Sequence, residues 1–183
     1  SPSAVEIGRI IASTNDGLLH GASATLPLLP YQLARGNSQT FKASLNWGNY
    51  SGQALNVIVL VTDGSGATFQ ATTPFMNLTI ARVDFHPEIS VTNFNITVES
   101  KQSTTFVDLE TITVDGSEVP VAPTLPIRLE PNGSVTFGVK RNWTDLQGKE
   151  VAVAVGTHQG YVAYATVTAP PKVLLSITSV SFN

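Results

Sequence analysis

The side chains that carry out chemistry in enzymes are few in this sequence and lie far apart. His20, His86 and His158 each lack a second metal ligand at the His-x-x-x-His or Glu-x-x-His spacing. The densest polar cluster, Asp84-Phe85-His86-Pro87-Glu88, contains ligands for a cation, but a proline among charged residues is more typical of a solvated linker between domains. We therefore expect no catalytic residue and no metal site.

Other patterns associated with catalysis have structural explanations. Ser65 lies in Gly64-Ser65-Gly66 without the strand-turn-helix setting of a nucleophile elbow, which indicates a turn serine. Asp108 and Glu110 are two residues apart on a predicted strand, a spacing also found on solvated edges, so it does not by itself indicate a glycosidase. The net charge is −3 and the 10 Lys and Arg are dispersed, which argues against a nucleic-acid partner. We predict a protein that is not an enzyme and has no cofactor.

One modification signal is strong. Only 13% of the residues are charged, about half the usual fraction, so the surface must be solvated in another way. Asn-X-Ser/Thr sequons predict N-linked glycans on an extracellular chain. They occur at Asn49, Asn77, Asn95, Asn132 and Asn142.

The chain ends and the apolar runs agree with an extracellular location. The sequence begins at Ser1-Pro2 without Met, so we expect that a secretory signal has been removed. It has no cysteine, which excludes disulfides and zinc-thiolate sites. The longest apolar run, Val57 to Val61, is far shorter than a membrane span, so no span is expected in this chain.

The sequence repeats itself at a spacing of 96 residues, which is typical of duplicated structural units. The match runs without a gap and predicts two copies of one β domain, the first with fewer residues upstream to supply strands. Matched pairs include Leu29 and Leu125, Phe41 and Phe137, Trp47 and Trp143, Gly64 and Gly160, and Pro74 and Pro170.

Within each copy, apolar and polar residues alternate and no helical stripe occurs. Phe41, Ala43, Leu45 and Trp47 share one face, and Asp63-Gly64-Ser65-Gly66 and Asp115-Gly116 indicate tight turns between strands. The pattern predicts an all-β protein of two tandem immunoglobulin-like β-sandwiches. We expect a strand and tether at 1–15, a first, incomplete domain at 16–84 and a second domain at 85–183.

The N-terminal segment predicts a strand without a partner in its own chain. Ala4 to Ala12 has strand character and is followed by polar residues, whereas Leu174 matches Leu78 in the repeat, which gives the C-terminal strand, Val173 to Phe182, a place in the second copy. A sandwich that lacks a strand exposes its core and must take one from elsewhere. We predict a head-to-tail homopolymer built by donor-strand complementation, with the C-terminal strand as the alternative donor. The N-terminal donor residues are Val5, Ile7, Arg9, Ile10 and Ile11.

The tandem copies, the strand at Ala4 to Ala12, the five sequons and the absence of cysteine resemble the subunits of crenarchaeal thread-type surface filaments. The resemblance implies pilin-like sandwiches, heavy N-glycosylation and polymerisation by donor-strand complementation. It also implies a role at the cell surface in adhesion or contact between cells.

The sequence is also compatible with a different class of function. The chain could be a monomeric module that binds carbohydrate, acts in adhesion or associates with a surface layer. Such a module needs an exposed aromatic platform, for which Tyr161, Tyr164, Tyr50 and Trp47 are the candidates. Strand alternation places Tyr161 and Tyr164 on opposite faces, which weakens this reading.

Overall fold

A computed structural model describes residues 4–14, 17, 19–21, 24–86 and 89–172. Within these ranges the chain forms antiparallel sheets and one short 3-10 helix, Gly48–Tyr50, which confirms the predicted all-β class. The strands are β1 Val5–Ser13, β2 Leu19–Gly21, β3 Ala24–Leu26, β4 Tyr31–Leu33, β5 Lys42–Ser44, β6 Ala54–Val61, β7 Gly66–Thr72, β8 Leu78–Asp84, β9 Asn93–Ser100, β10 Val107–Val114, β11 Ser117–Glu118, β12 Val121–Ala122, β13 Ile127–Leu129, β14 Ser134–Lys140, β15 Glu150–Thr157 and β16 Val162–Thr168.

Residues 5–72, here called the N-terminal half, form two sheets. The larger sheet has the order β2-β1-β6-β7, and β4 pairs with the other end of β1. The smaller sheet consists of β3 and β5.

Residues 78–168, the C-terminal half, also form two sheets, of order β11-β10-β15-β16, with β13 on β10, and β12-β14-β9-β8. Their apolar faces meet in one core, because alternation along each strand sends every second side chain inward. The largest fully buried side chains are those of Trp143, Phe94 and Phe137.

The two halves share seven strands in the same chain order, β1 to β7 in one and β10 to β16 in the other. Thr25 pairs with Ala43 just as Val121 pairs with Val139, 96 residues further on. β1 and β10 each contain a register shift at the same place, after Ile7 and after Leu109. The repeat seen in the sequence is therefore a repeat of strand pairing.

The turns also recur. The predicted hairpin at Asp63-Gly64-Ser65-Gly66 joins β6 to β7, and Gly64 and its counterpart Gly160 both have a positive φ, of 89° and 83°, which glycine adopts without steric cost. Cis peptide bonds precede Pro27 and Pro30, and again Pro123 and Pro126.

β8 follows the N-terminal half in sequence but pairs with β9, in the C-terminal half. The expected boundary after residue 84 therefore does not separate the sheets, and the division into two domains stays a prediction. The expected C-terminal strand, Val173 to Phe182, lies outside the described residues. Its place in the second copy stays a prediction, although the premise that Leu78 belongs to the first copy is not met, because β8 pairs with β9 in the C-terminal half.

The N-terminal segment forms the predicted strand, but the expectation that it has no partner in its own chain is wrong. β1 lies inside its sheet, between β6 on one side and β2 and β4 on the other. Backbone groups on both edges of β1 are thereby paired with other strands of the same chain. Donation of Val5, Ile7, Arg9, Ile10 and Ile11 to a neighbouring copy stays a prediction, and it would require β1 to leave its own sheet.

The register shift after Ile7 also changes which β1 side chains share a face. The sequence predicts Val5, Ile7 and Ile11 on one face. In the structure Ile10 pairs with Val59, and the equivalent pair in the C-terminal half is Ile112 with Val155. Ala12 pairs with Val57, and the equivalent pair is Val114 with Val153. The side chains of both equivalent pairs are fully buried. Ile7, Ile10 and Ala12 therefore face inward, because the extra residue of a β-bulge reverses the alternation.

Candidate functional site

The C-terminal half shows what a closed sandwich looks like in this protein. β9 pairs with β14 and β8, and its inward residues Phe94, Ile96 and Val98 are buried. Phe85, next to β8, stacks on Phe94 with ring centroids 4.6 Å apart. The indole Nε1 of Trp143 donates a hydrogen bond to the backbone carbonyl of Asn93, 3.1 Å away. β8 and β9 thus cover the inner face of the β10 sheet.

No described strand covers the N-terminal half in this way. β5 corresponds to β14, but among the described residues it pairs only with β3, and no described strand takes the place of β8 or β9. No other described strand therefore covers the inner face of the β1-β6-β7 sheet. We call this surface the open face.

Equivalent residues differ in exposure in the way an uncovered face requires. Trp143 is fully buried, whereas Trp47 is half-buried, and Phe137 is fully buried, whereas Phe41 is half-buried. Val5 is 44% exposed at the position where Val107 is 0% exposed. The sequence types are nearly the same, so the difference reflects the strands that pack over each position among the described residues.

Phe69 is the clearest apolar residue on the open face. It pairs with Val57, and the equivalent pair in the C-terminal half is Ala165 with the buried Val153, so Phe69 lies on the inner side of β7. Its side chain is nevertheless 71% exposed. Sequence analysis did not single out Phe69. The repeat places it opposite Ala165, and a large apolar residue at the position of a small one could have indicated an apolar side chain that needs a partner.

The open face adjoins the contact between the halves. Backbone N–H of Gly48 donates to the carbonyl of Gln159 at 2.8 Å, and the Ser51 hydroxyl donates to the carbonyl of Met76 at 3.1 Å. A cleft of about 610 Å³ runs along this contact, from Trp47 to Phe106 and Arg128. The guanidinium of Arg128 lies 3.6 Å over the Phe106 ring and forms an ion pair with Asp108 at 2.8 Å. The two charged side chains therefore bind each other.

The candidate chemical groups are dispersed. Nδ1 of His158 lies 2.6 Å from a carboxylate oxygen of Glu110, both exposed, whereas Asp108 turns to Arg128. In the described ranges no three metal-ligating side chains come together. The side chain of His20 lies outside the described part.

The cluster at Asp84 to Glu88 was expected to be a solvated linker, and this expectation was wrong for its first residues. Asp84 belongs to β8 and pairs with Arg82 at 2.5 Å, and Phe85 packs into the core. Pro87 and Glu88 lie outside the described residues.

Ser65 is a turn serine, as the sequence predicts. Its backbone N–H and its hydroxyl donate to one carboxylate oxygen of Asp63, at 2.8 and 2.6 Å. These hydrogen bonds hold the pKa of Asp63 below its ordinary value, because they favour the charged carboxylate.

The sequon asparagines lie in different surroundings. Asn49, Asn132 and Asn142 are exposed, and Asn77 and Asn95 are half-buried. Asn95 pairs with Gly138, whose lack of a side chain leaves space beside it. Glycosylation at all five stays a prediction.

The aromatic residues do not form a shared platform among the described residues. Tyr164 is 77% exposed, whereas Tyr161 is half-buried and packs against the core. None of the described helices is long and apolar enough to cross a membrane.

Comparison with known proteins does not assign the chain to a family. No protein-family model matches the chain, and no curated protein is similar enough to count as a relative.

Proposed function

We propose that the chain is a structural subunit of an extracellular filament, in which copies join head to tail by donor-strand complementation. The observation that carries this proposal is the open face of the N-terminal half. Seven strands of that half match seven of the C-terminal half, but within the described residues nothing matches β8 and β9. Strands from other copies at these two positions would complete the sandwich.

The physical case rests on what an open sandwich exposes. The inner face offers the exposed side chains of Phe69 and Val5 and the half-buried ring of Phe41. An added strand gains about 1 kcal/mol net per ladder hydrogen bond and about 1.5 to 3 kcal/mol per buried aliphatic side chain. Because the donor and the acceptor are different surfaces, the contact is heterologous and propagates into an open polymer.

Two routes could deliver the strand. Exchange of β1 between copies fits the N-terminal donor residues, but it breaks the pairing of β1 with β6, β2 and β4 before it makes an equivalent one. Delivery by a segment outside β1 to β7 leaves the N-terminal half intact. The open face is the acceptor in the second route, which the arrangement of strands therefore favours.

The surface composition supports an extracellular place. Asn49, Asn132 and Asn142 are exposed sequon residues that glycans can reach without unfolding. Glycans would solvate a surface that carries few charges and would leave the apolar acceptor for other copies. The role that fits such a filament is adhesion or contact between cells.

Electron microscopy and light scattering of the purified full-length protein test this proposal. We expect filaments that persist on dilution. Phe69→Asp should abolish them, whereas Thr68→Asp, on the opposite face of β7 and exposed, should not. A stable monomer at every concentration would contradict the proposal and favour the binding module instead.

A further inference from the structure

The cleft along the contact between the two halves has a volume of about 610 Å³. Clefts that bind small molecules have volumes of roughly 300 to 1,000 Å³. Residues 43–47 form one wall, and the hydrogen bond from the Gly48 N–H to the Gln159 carbonyl holds this wall against the C-terminal half. The opposite wall belongs to the C-terminal half and contains Phe106, Asp108, Arg128, His158 and Gln159.

The ion pair in the cleft keeps hydrogen-bonding groups for a ligand. Arg128 donates from Nε and Nη2 to the two carboxylate oxygens of Asp108, at 2.8 and 3.2 Å. A guanidinium has five N–H groups and each carboxylate oxygen has two lone pairs, so this pairing uses only part of both. The Arg128 side chain is 54% exposed, so its remaining N–H groups can reach a bound molecule.

Two neighbouring residues add further hydrogen-bonding groups. Nδ1 of His158 lies 2.6 Å from a Glu110 oxygen, and the His158 side chain is 72% exposed, which leaves Nε2 to solvent. Gln159 is only 8% exposed, and its Oε1 accepts a hydrogen bond from the Asp108 N–H at 3.3 Å. Among the described residues, none accepts a hydrogen bond from Nε2 of Gln159. A nearly buried amide in this state needs an acceptor from solvent or a ligand, because an unpaired buried donor is unfavourable.

An apolar surface lies beside these polar groups. Phe106 is 36% exposed and lines the cleft, with the guanidinium of Arg128 3.6 Å from its ring centroid. On the other wall, Asn46 is exposed and adds a side-chain amide. The cleft therefore combines one partly open aromatic ring with planar polar side chains on both walls.

The charges in the cleft indicate an uncharged ligand. Arg128 is balanced by Asp108, and a protonated His158 is balanced by Glu110. An anion would meet the Asp108 carboxylate, and in the described part of the chain no cluster of ligands for a divalent cation is present. Sugar hydroxyls both donate and accept hydrogen bonds, and the C–H faces of a sugar ring are apolar. A saccharide therefore matches both kinds of surface in the cleft.

We propose that this cleft binds a neutral oligosaccharide, which packs a sugar ring on Phe106 and forms hydrogen bonds with Arg128, His158 and Gln159. The site is built within one copy, so it does not depend on polymerisation. It goes beyond the proposed filament, because it adds a ligand-binding activity and gives adhesion a molecular partner.

Nuclear magnetic resonance of the full-length protein tests the site with neutral trisaccharides, namely maltotriose, cellotriose, mannotriose and chitotriose. At millimolar concentration at least one of them should shift the side-chain N–H signals of Gln159 and Arg128, and the shifts should saturate. The acidic trisaccharide trigalacturonate should bind at least fivefold more weakly. The absence of a saturable shift with every neutral probe would overturn the proposal, as would equal or tighter binding of the acidic one.

Two arginine variants form a matched pair for the trisaccharide that binds. Arg128→Gln should weaken its binding at least tenfold, because it removes the guanidinium donors from the cleft. Arg82→Gln breaks another Arg–Asp pair, on β8 and outside the cleft, and should bind like the parent chain. His158→Ala changes an exposed side chain and should weaken binding at least threefold, which keeps the test valid if Arg128→Gln fails to fold. Unchanged affinity in both cleft variants would overturn the assignment.

Saccharide binding and polymerisation are measured separately on the same protein. Filaments in the electron microscope without saccharide binding would overturn this site and leave the filament standing. Saccharide binding by a chain that stays a monomer at every concentration would overturn the filament and support this site.

Discussion

The ring of Phe85 lies 5.0 Å from the ring of Trp143, inclined at 59°, directly after β8, which follows the N-terminal half in sequence and covers the core of the C-terminal half. The counterpart Trp47 is half-buried and has no equivalent of Phe85 among the described residues. The two matched tryptophans therefore have different surroundings, because Trp47 packs against the outside of the core of the C-terminal half.

Phe85 and Phe69 should respond differently to truncation. Phe85→Ala removes a ring that packs on Phe94 and Trp143, so the free energy of unfolding should fall by about 3 kcal/mol. Phe69→Ala should leave the monomer within about 0.5 kcal/mol of the parent, because that ring is exposed. Urea unfolding of unassembled protein measures both. A large loss for Phe69→Ala alone would show that its ring is covered within the chain.

β1 should behave as an interior strand of its own sheet. Ile7→Asp places an unpaired carboxylate at a position that is 6% exposed, so it should expose β6 to solvent. Hydrogen exchange of the β6 amides in unassembled protein should rise at least a hundredfold. Arg9→Ser, at an exposed position of the same strand, is the control. Unchanged protection in Ile7→Asp would mean that β1 does not pair with β6.

Asn132 should have a structural role that is separate from its predicted glycosylation. It adopts a positive φ of 59°, and its side-chain oxygen accepts a hydrogen bond from the backbone N–H of Gln102 at 2.8 Å. Asn132→Ala should cost about 1 to 2 kcal/mol, because alanine loses the hydrogen bond and disfavours this conformation. Ser134→Ala removes the sequon but retains Asn132, so it should lose the glycan and keep the stability. Intact mass and thermal unfolding separate the two effects.

Gly48 should be essential for the contact between the halves. A Cβ at this position would lie 2.5 Å from the backbone nitrogen of Tyr161 and 2.7 Å from the carbonyl oxygen of Gln159. Gly48→Ala should therefore separate these segments and increase proteolysis near them. Gly138→Ala is the control, because its Cβ would meet no atom closer than 3.8 Å. Equal proteolysis of the two variants would contradict the prediction.

Much of the local structure was predictable because it depends on neighbours in sequence. The alternation around Phe41 and the Asp63-Gly64-Ser65-Gly66 turn act within a few residues, and the 96-residue repeat carries them into both halves. The count of residues upstream of each copy also predicted a first copy that is short of a strand, and among the described residues no strand of the N-terminal half matches β8 or β9. These features can be predicted without knowing which strands pair with one another.

What the tertiary structure decided is the choice of partners. An alternating strand shows that one face will be buried, but the same pattern fits any sheet edge, so the sequence did not show that β1 pairs with β6 or that β8 crosses to β9. The bulge after Ile7 shifts the side chains of β1 by one position, and it follows from pairing with a strand about fifty residues away. Alternation and turns depend on residues close in sequence. Strand pairing depends on which of several distant strands offers the most favourable contacts, and only the folded chain shows that choice.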